Sequence, residues 1–359
     1  MEKFKIHYLQ VLLDRVKEKS IARFIEALKN EKGEPQALHC YIDAFRMDVD
    51  SFAECMVLNG FFMIELFRRN MNRGEYGEDE GNDAFLNIRL MKPRLARDML
   101  LFENQIPLFV LRRLFALTEE KSETDRDFVE LALGFFDFNG ERIPHDEIGI
   151  DRLDDTPHLL GLVYTALVPE TPEPPNNRRE LSESIRTAVT LENLGVMFHE
   201  AQENEAFYDI RFSEGVLSIP RLVINDNTES FFRNLVAYEH HSHHHRVVDY
   251  LHVMDCLIKS SKDVELLRQC GIIENKLWND VKVSTMFNHI CSDVSFDPNK
   301  FFYNQMFDDV NKFCKNVPWK MRIAKLRKDY LGKPSSVVSS MVAVLLLLLT
   351  IAQLIFPIF

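Results

Sequence analysis

Histidine is the residue type most concentrated in one place, in the stretch EHHSHHHRVVDYLH. On a helical projection one face is apolar and carries Val247, Leu251, Met254 and Ile258. The opposite face carries His241, His245, Asp249 and His252. Because residues four apart share a helix face, His245 and Asp249 could bind one metal ion. A face opposite the core is usually solvated, so we favour a surface histidine tract. A metal site and a pH-sensitive surface that titrates at about pH 6.5 are the alternatives.

Carboxylates in apolar surroundings are the second set of candidates for chemistry. They are Glu65, Asp98, Glu103, Glu229 and Glu239. Two carboxylates in one cleft could act as general acid and base, for example Glu103 with Asp98 or Glu65. The chain has no GxSxG, P-loop, HExxH or dinucleotide-binding motif, so familiar enzyme classes have no signature here. We therefore assign no catalytic residue and no cofactor from the sequence.

The stretch RDMLLFENQIPLFVLRRLF places Glu103 in an otherwise apolar segment. Its periodicity predicts a deeply buried helix over 94–106, and Pro107 suits the first position of a second helix. Asn104 and Gln105 would then lie at the junction and satisfy backbone groups that the helix ends leave without partners. Glu103 is predicted to be a partly buried carboxylate paired with an arginine.

Composition sets the protein class. The 359 residues are 46% hydrophobic and 27% charged, which is typical of a globular protein. The formal charge of −12 would repel a phosphate backbone, so we expect no nucleic-acid partner. Six widely spaced cysteines include no CxxC pair, which gives no indication of a zinc ribbon.

Periodicity predicts a mainly α fold with one small β-hairpin element. The amino terminus reads as one or two amphipathic helices packed on the core. The hairpin is predicted from 208–212 and 216–224 around a Ser-Glu-Gly turn, and Pro220 makes the second strand an edge strand or bends it. An acidic loop at 72–83 and a proline-rich loop at 168–180 interrupt the pattern. The second loop could divide a soluble domain, residues 1–334, into two halves.

The carboxyl terminus predicts a single transmembrane helix. Residues 337–359 carry no charge, and about 23 residues at about 1.5 Å each span roughly 34 Å, enough to cross a bilayer. We therefore assign residues 335–359 to a tail anchor whose partner is the lipid bilayer. The flanking cations are Lys320, Arg322, Lys325, Arg327, Lys328 and Lys333. Positive residues favour the cytoplasmic side, so we expect a single-pass membrane protein with its large domain in the cytoplasm.

Five motifs, found in order along the chain, resemble those of the plant domain-of-unknown-function 247 family. They are MVLNGFFMIELFRR, DMLLFENQIPLFVLRRLF, LSIPRLVINDNTESFFRNLVAYE, VVDYLHVMDCLI and DVELLRQCGIIENKL. Members usually open with a further segment containing a GPYHHG-like stretch, which does not precede the first helix here. We therefore expect a truncated form or an incomplete gene model.

The resemblance implies no established enzymatic activity and supplies no catalytic residues. Some members are associated with pollen self-recognition in grasses, which implies protein-mediated signalling. Together with the predicted anchor, this favours a membrane-anchored plant protein that acts in protein interaction, recognition or signalling, with an unknown protein partner. The alternative is a hydrolase-like enzyme that uses a buried carboxylate cluster.

Overall fold

The computed structural model describes most of the chain up to Asn316. The described residues are 2–18, 20–29, 36–41, 48–71, 91–118, 125–143, 148, 153–168, 184–202, 206–242, 245–292, 294, 298 and 300–316. The predicted acidic loop, residues 169–180 of the proline-rich loop, and the predicted anchor with its flanking cations lie outside them. Among the described residues, no helix is both long and apolar enough to cross a bilayer.

Helices dominate the described residues, which confirms the mainly α prediction. They are α1 (Glu2–Arg15), α2 (Ala22–Leu28), α3 (Val49–Met71), α4 (Met91–Met99), α5 (Leu108–Leu117), α6 (Asp125–Leu133), α7 (Leu159–Leu167), α8 (Ala188–Asn193), α9 (Thr228–Ser242), α10 (Arg246–Leu257), α11 (Ser261–Gln269), α12 (Asp280–Ser292) and α13 (Asn304–Asn316). A 3-10 helix covers Gln36–Cys40. The strands are β1 (Asp137–Phe138), β2 (Glu141–Arg142), β3 (Met197–Glu200), β4 (Arg211–Ser213), β5 (Val216–Ile219), β6 (Leu222–Ile224) and β7 (Ile273–Asn275).

Helix α3 organises the amino-terminal part of the core. It is apolar along most of its length and packs against α1, α2, α5 and α6. The amphipathic amino-terminal helix is confirmed, because Tyr8 and Leu12 of α1 are buried and the Tyr8 ring stacks on Phe62 at 5.7 Å. Helix α5 approaches α3 closely at Gly60, where an added Cβ would lie 2.5 Å from a methyl carbon of Leu114.

The predicted hairpin is confirmed in β4 and β5, which pair antiparallel. Glu214 and Gly215 both have positive φ, as a tight two-residue hairpin turn requires. The segment predicted over 216–224 is interrupted at Pro220, as the bend alternative predicted, and forms two strands. Pro220 cannot donate a ladder hydrogen bond, so β5 ends at Ile219 and β6 pairs instead with β7, in parallel. Strand β3 also pairs with β5 in parallel.

The carboxyl-terminal part is built around α10, which packs against α9 and α12. Nine of its twelve residues are buried, so it is enclosed on nearly all sides. A single hydrophobic core includes residues from both sides of the proline-rich loop. A hydrogen bond also joins the two sides, since the Phe102 amide donates to Oδ1 of Asn234 at 2.7 Å.

Candidate interaction surface

Gln105 connects three separate backbone positions at the junction after α4. Its Nε2 donates to the carbonyls of Met99 and Leu101 at 2.8 and 2.7 Å, and its Oε1 accepts from the Leu160 amide at 3.0 Å. Asn104 donates to the carbonyl of Asp98 at 2.9 Å. The prediction that these two amides satisfy helix-end groups is confirmed. This part of the signature is therefore structural.

The predicted helix over 94–106 and the buried Glu103 are wrong. Helix α4 ends at Met99, where Leu100 donates to the carbonyl three residues back and begins a turn. Only two residues of α4, Leu95 and Met99, are buried, so the helix lies near the surface. Glu103 falls on the turn and is exposed. Residues 100–104 form a turn where a helix was predicted. The Gln105 side chain stabilises this turn because its Nε2 donates hydrogen bonds to the carbonyls of Met99 and Leu101.

Glu65 lies in the core with two cationic partners. It is 2% exposed and pairs with Arg15 and, at 3.0 Å, with Arg68. Arg68 also donates to the Thr118 hydroxyl at 2.9 Å. A buried carboxylate that is doubly paired in this way has its hydrogen-bonding capacity satisfied and stabilises the contact between α1 and α3.

Glu239 closes the amino-terminal end of α10. It is fully buried and accepts hydrogen bonds from the amides of Val247 and Val248 at 2.8 and 2.9 Å. The Tyr164 hydroxyl donates to it at 2.6 Å. Burial, together with the negative charge of Glu239, raises the pKa of Tyr164 well above its usual range. The carboxylate therefore serves as a helix cap.

The five candidate carboxylates do not converge on a common cleft in the described residues. Asp98 pairs with the adjacent Arg97 at 3.1 Å on the surface. Glu229 pairs with Arg233 and His289, both at 3.1 Å, between α9 and α12. Glu65 and Glu239 belong to the two separate buried networks, and Glu103 is exposed. The shared cleft that the enzyme alternative requires is therefore not formed by these residues.

The histidine stretch is divided between two helices. Helix α9 ends at Ser242 and α10 begins at Arg246, so a single helical projection does not apply. His241 is exposed and lies 4.9 Å from the Phe102 ring, and His245 is the residue that precedes α10.

The predicted solvated face is wrong at Asp249. This residue is 4% exposed and accepts from the Phe302 amide at 2.8 Å, because the segment before α13 covers it. Among the described residues, no group of three or more histidine, cysteine, aspartate or glutamate side chains is placed to hold a metal ion.

His158 is a half-buried titratable group that the sequence reasoning did not single out. It precedes α7, and its Nδ1 accepts from the Gly161 amide at 3.2 Å. Burial, with a smaller contribution from His241, lowers the pKa of His158 to about 4. The imidazole is therefore neutral at physiological pH and acts as a helix cap.

The Cys256 thiol lies close to a histidine but is not an activated nucleophile. Cys256 Sγ lies 3.7 Å from Nε2 of His252 within α10. Burial raises the pKa of Cys256 to about 11 and lowers the pKa of His252. Both groups are neutral at physiological pH, whereas cysteine nucleophiles require a thiolate.

Trp278 is the most exposed large hydrophobic residue in the described part of the chain. It is 92% exposed, and its backbone has φ of +56° in the loop between β7 and α12. Asn279 follows it and accepts from the Val281 amide at 2.9 Å, as a helix N-cap does. An apolar residue before an N-cap often packs onto the first turns of its helix. Here the neighbouring Val283 is fully buried while the indole projects into solvent.

A groove of about 650 Å³ adjoins this indole. The Trp278 groove is defined here by Glu200, Arg221, Arg268, Glu274, Lys276 and Trp278. Arg221 pairs with Glu274, which also lies 3.6 Å from Lys276. These pairs lower the pKa of Glu274, with the Arg221 hydrogen bond as the main cause. The sequence reasoning missed this site, although a tryptophan directly before an Asn-Asp helix start, between two lysines, is a usable signal.

The Trp278 groove and the Phe313 ring of α13 lie at opposite ends of β3. At the start of β3, the Met197 amide donates to the Gly215 carbonyl, and the Phe313 ring of α13 packs against Gly215. At the end of β3, Glu200 reaches Gly271 beside the groove. Three residues of strand separate these ends by about 10 Å.

The fold and this surface define a mainly helical protein with an exposed tryptophan beside a groove lined by charged residues. The chain belongs to the plant family of unknown function DUF247, whose match covers residues 1–349, and the family resemblance predicted from the motifs is confirmed. UPF0481 protein At3g47200 of Arabidopsis thaliana is 27% identical over 384 residues, which cover 98% of this chain and 77% of the relative.

A second relative matches a shorter part of the chain. Putative UPF0481 protein At3g02645, also of Arabidopsis thaliana, is 29% identical over 174 residues, which cover 48% of this chain and 32% of that protein. No solved structure gives a significant match.

Proposed function

We propose that this chain is a membrane-tethered protein-interaction module, acting in recognition or signalling, and that the Trp278 groove is its recognition surface. The observation that carries the proposal is a tryptophan that is 92% exposed at positive φ. Tryptophan and arginine are enriched among the residues that dominate binding energy at protein interfaces, and the groove presents both.

The conformation of Trp278 favours a role in binding over a role in folding. Positive φ costs a residue with a Cβ about 1–2 kcal/mol, and an exposed ring gains little packing within the chain. An indole of about 250 Å² that is 92% exposed leaves about 230 Å² in water. Covering half of that area with a partner would contribute about 3 kcal/mol at about 25 cal/mol/Å².

The membrane tether rests on the sequence of residues 337–359 and the basic residues before them. An uncharged segment of this length suits a bilayer-spanning helix, and the cations favour a cytoplasmic location for the large domain. The groove would then face the cytosol on a domain held at the membrane. The 92% exposure of Trp278 supports access by a partner.

Capture of cross-linked partners tests the interaction role. The full-length tagged chain would be cross-linked in plant membranes as wild type, as Trp278→Asn and as Met197→Thr. Met197 is the matched control, because it is 54% exposed but lies at the far end of β3. We expect a protein that is recovered with wild type and Met197→Thr and lost with Trp278→Asn. Identical recovery from all three chains would contradict the proposal.

Protease protection tests the tether and its orientation. An epitope-tagged full-length chain in sealed membrane vesicles should stay with the vesicles after alkaline extraction. Protease added from the cytoplasmic side should digest the large domain. Release of the chain by alkaline extraction would contradict the proposed membrane tether. A large domain that is protected from protease within the lumen would contradict the proposed cytoplasmic orientation.

A further inference from the structure

We infer that two copies of this chain form a dimer through the free edge of β3, which pairs antiparallel with β3 of the second copy about a twofold axis at His199. This inference goes beyond the proposed function, because it assigns a second copy of the chain to β3 and not a partner to Trp278. Three features carry it: the unused hydrogen-bonding groups of β3, the exposure of the strand and the symmetric register that the strand allows.

One edge of β3 carries backbone groups that β5 does not use. The amides of Met197 and Ala201 donate to carbonyls of β5 and its preceding turn, both at 2.9 Å. Backbone groups point alternately to the two sides of a strand, so those of His199 also face β5. The groups of Phe198 and Glu200 face the other way. They present two N–H donors and two carbonyl acceptors at the outer edge of β3.

This edge is open in the described part of the chain. Strand β3 is the outer strand of a sheet with the order β3-β5-β4, and α13 packs at the β4 side. Among the described helices and strands, β5 is the element against which β3 packs extensively. Three of the four residues of β3 are exposed, including Met197 at 54%. Just before the strand, a Cβ added at Gly195 would meet no atom within 4 Å.

The sequence of β3 does not block pairing. Natural edge strands are often protected by lysine, by proline or by charges that a second strand would bury. The strand reads MFHE and has neither lysine nor proline. Its carboxylate, Glu200, turns towards its own chain, because Oε2 lies 2.7 Å from the position of a Cβ added at Gly271. The edge itself is therefore left to the backbone groups.

These groups are self-complementary in one antiparallel register. Phe198 lies opposite Glu200 of the second copy and Glu200 opposite its Phe198, which gives four backbone hydrogen bonds. His199 of each copy then lies at the axis, in a non-hydrogen-bonded pair with Cα atoms about 4.5 Å apart. Met197 lies opposite Ala201, and no two carboxylates are placed directly opposite each other. The same patch serves both copies, so the assembly closes at two.

The dimer should be weak. Two strands of four residues bury less than the standard interface of about 1,600 Å², and the net charge of −12 on each copy opposes association. We therefore expect a dissociation constant of micromolar order that falls as added salt screens the repulsion. An extended segment of another protein is the competing occupant, since it would use the same edge.

Disulfide trapping tests the register. The full-length chain in membrane vesicles would be oxidised with copper phenanthroline as wild type, as His199→Cys and as Met197→Cys. Cysteines at 199 would lie within the Cα separation that a disulfide accepts, whereas those at 197 would lie roughly 14 Å apart. We expect a linked dimer from His199→Cys alone, and the wild type controls for native cysteines such as the exposed Cys40. No linked dimer, or equal linkage from both positions, would overturn the inference.

A second comparison tests the hydrogen bonds, by analytical ultracentrifugation of the full-length chain in detergent micelles. Glu200→Pro removes an N–H at the free edge but none that bonds β5, and should weaken the dimer at least about 10-fold. Glu200→Ala keeps that N–H and should leave the dimer unchanged, as should Trp278→Asn. His199→Lys keeps the whole backbone and should weaken the dimer about 3- to 10-fold, because it places like charges opposite each other.

The outcomes separate the possible occupants of the edge. A wild-type chain that stays monomeric, or a dimer that survives both Glu200→Pro and His199→Lys, would overturn the inference. A monomeric chain that loses capture of another protein in Glu200→Pro alone would assign the edge to a foreign segment instead. A cross-link between two copies has twice the mass of the chain, 42.0 kDa, which distinguishes it from a cross-link to a partner.

Discussion

Replacing Trp278 with asparagine should weaken partner binding without destabilising the fold. Positive φ costs about 1–2 kcal/mol for most residues with a Cβ, and asparagine adopts it more readily. The Trp278 side chain is only 8% covered, so its buried area is about 20 Å². Losing this area should lower the free energy of unfolding by only about 0.5 kcal/mol. The free energy of unfolding should therefore stay unchanged or rise by up to about 1 kcal/mol.

Thermal unfolding followed by circular dichroism gives the readout, because this signal does not depend on the tryptophan itself. A chain of this size should show a melting temperature that is unchanged or higher by roughly 1–2 °C. Met197→Thr is the matched control for loss of an exposed apolar side chain. A fall of several degrees in Trp278→Asn alone would refute the reasoning, since it would show that the indole stabilises the fold.

Four further substitutions test the structural assignments. Gln105→Leu removes three hydrogen bonds to backbone groups and should lower the free energy of unfolding by about 2–3 kcal/mol in urea denaturation, whereas Asn104→Ala should cost about 0.5 kcal/mol. Glu239→Gln places an amide against the Val248 N–H and should cost about 2–4 kcal/mol in the same assay, and an unchanged midpoint would contradict the cap. The pKa of His158 is lowered from 6.5 to about 4, so the unfolded state takes up a proton first and stability falls as pH drops through that range. In urea midpoints measured across that range, His158→Asn should keep the cap and show a shallower decline, and an identical pH profile would contradict the assignment.

Local patterns predicted the features that depend on residues close in sequence. The periodic apolar positions of α1 placed Tyr8 and Leu12 in the core. The hairpin followed from alternating residues around a turn that ends in Gly215. The role of Gln105 followed from the rule that backbone groups at helix ends need partners.

Features that depend on distant residues were not predictable in the same way. Strand β6 pairs with β7 about 50 residues later, and no local pattern specifies that partner. Glu103 was expected inside a helix, yet the Gln105 contacts favour a turn that leaves it exposed. Asp249 was placed on a solvated face because the segment that covers it, near Phe302, lies about 50 residues further along.

The candidate surface was missed because exposure is a property of the whole fold. Tryptophan is usually buried on average, so its residue type alone predicts a core position for Trp278. Only the structure brings Arg221 of the β5–β6 connection, Arg268 of α11 and the loop after β7 to one groove. Their separation in sequence gives no indication of this arrangement.

The central claim is that a partner protein binds at Trp278, and site-specific photo-cross-linking tests it most directly. A photoreactive phenylalanine analogue would replace Val281, which is 59% exposed and follows Trp278 by three residues, or Met197 at the far end of β3 as the control. In plant membranes, we predict a discrete protein adduct from position 281 that is absent from position 197 and disappears with Trp278→Asn. No adduct at 281, or equal adducts from both positions, would contradict the account.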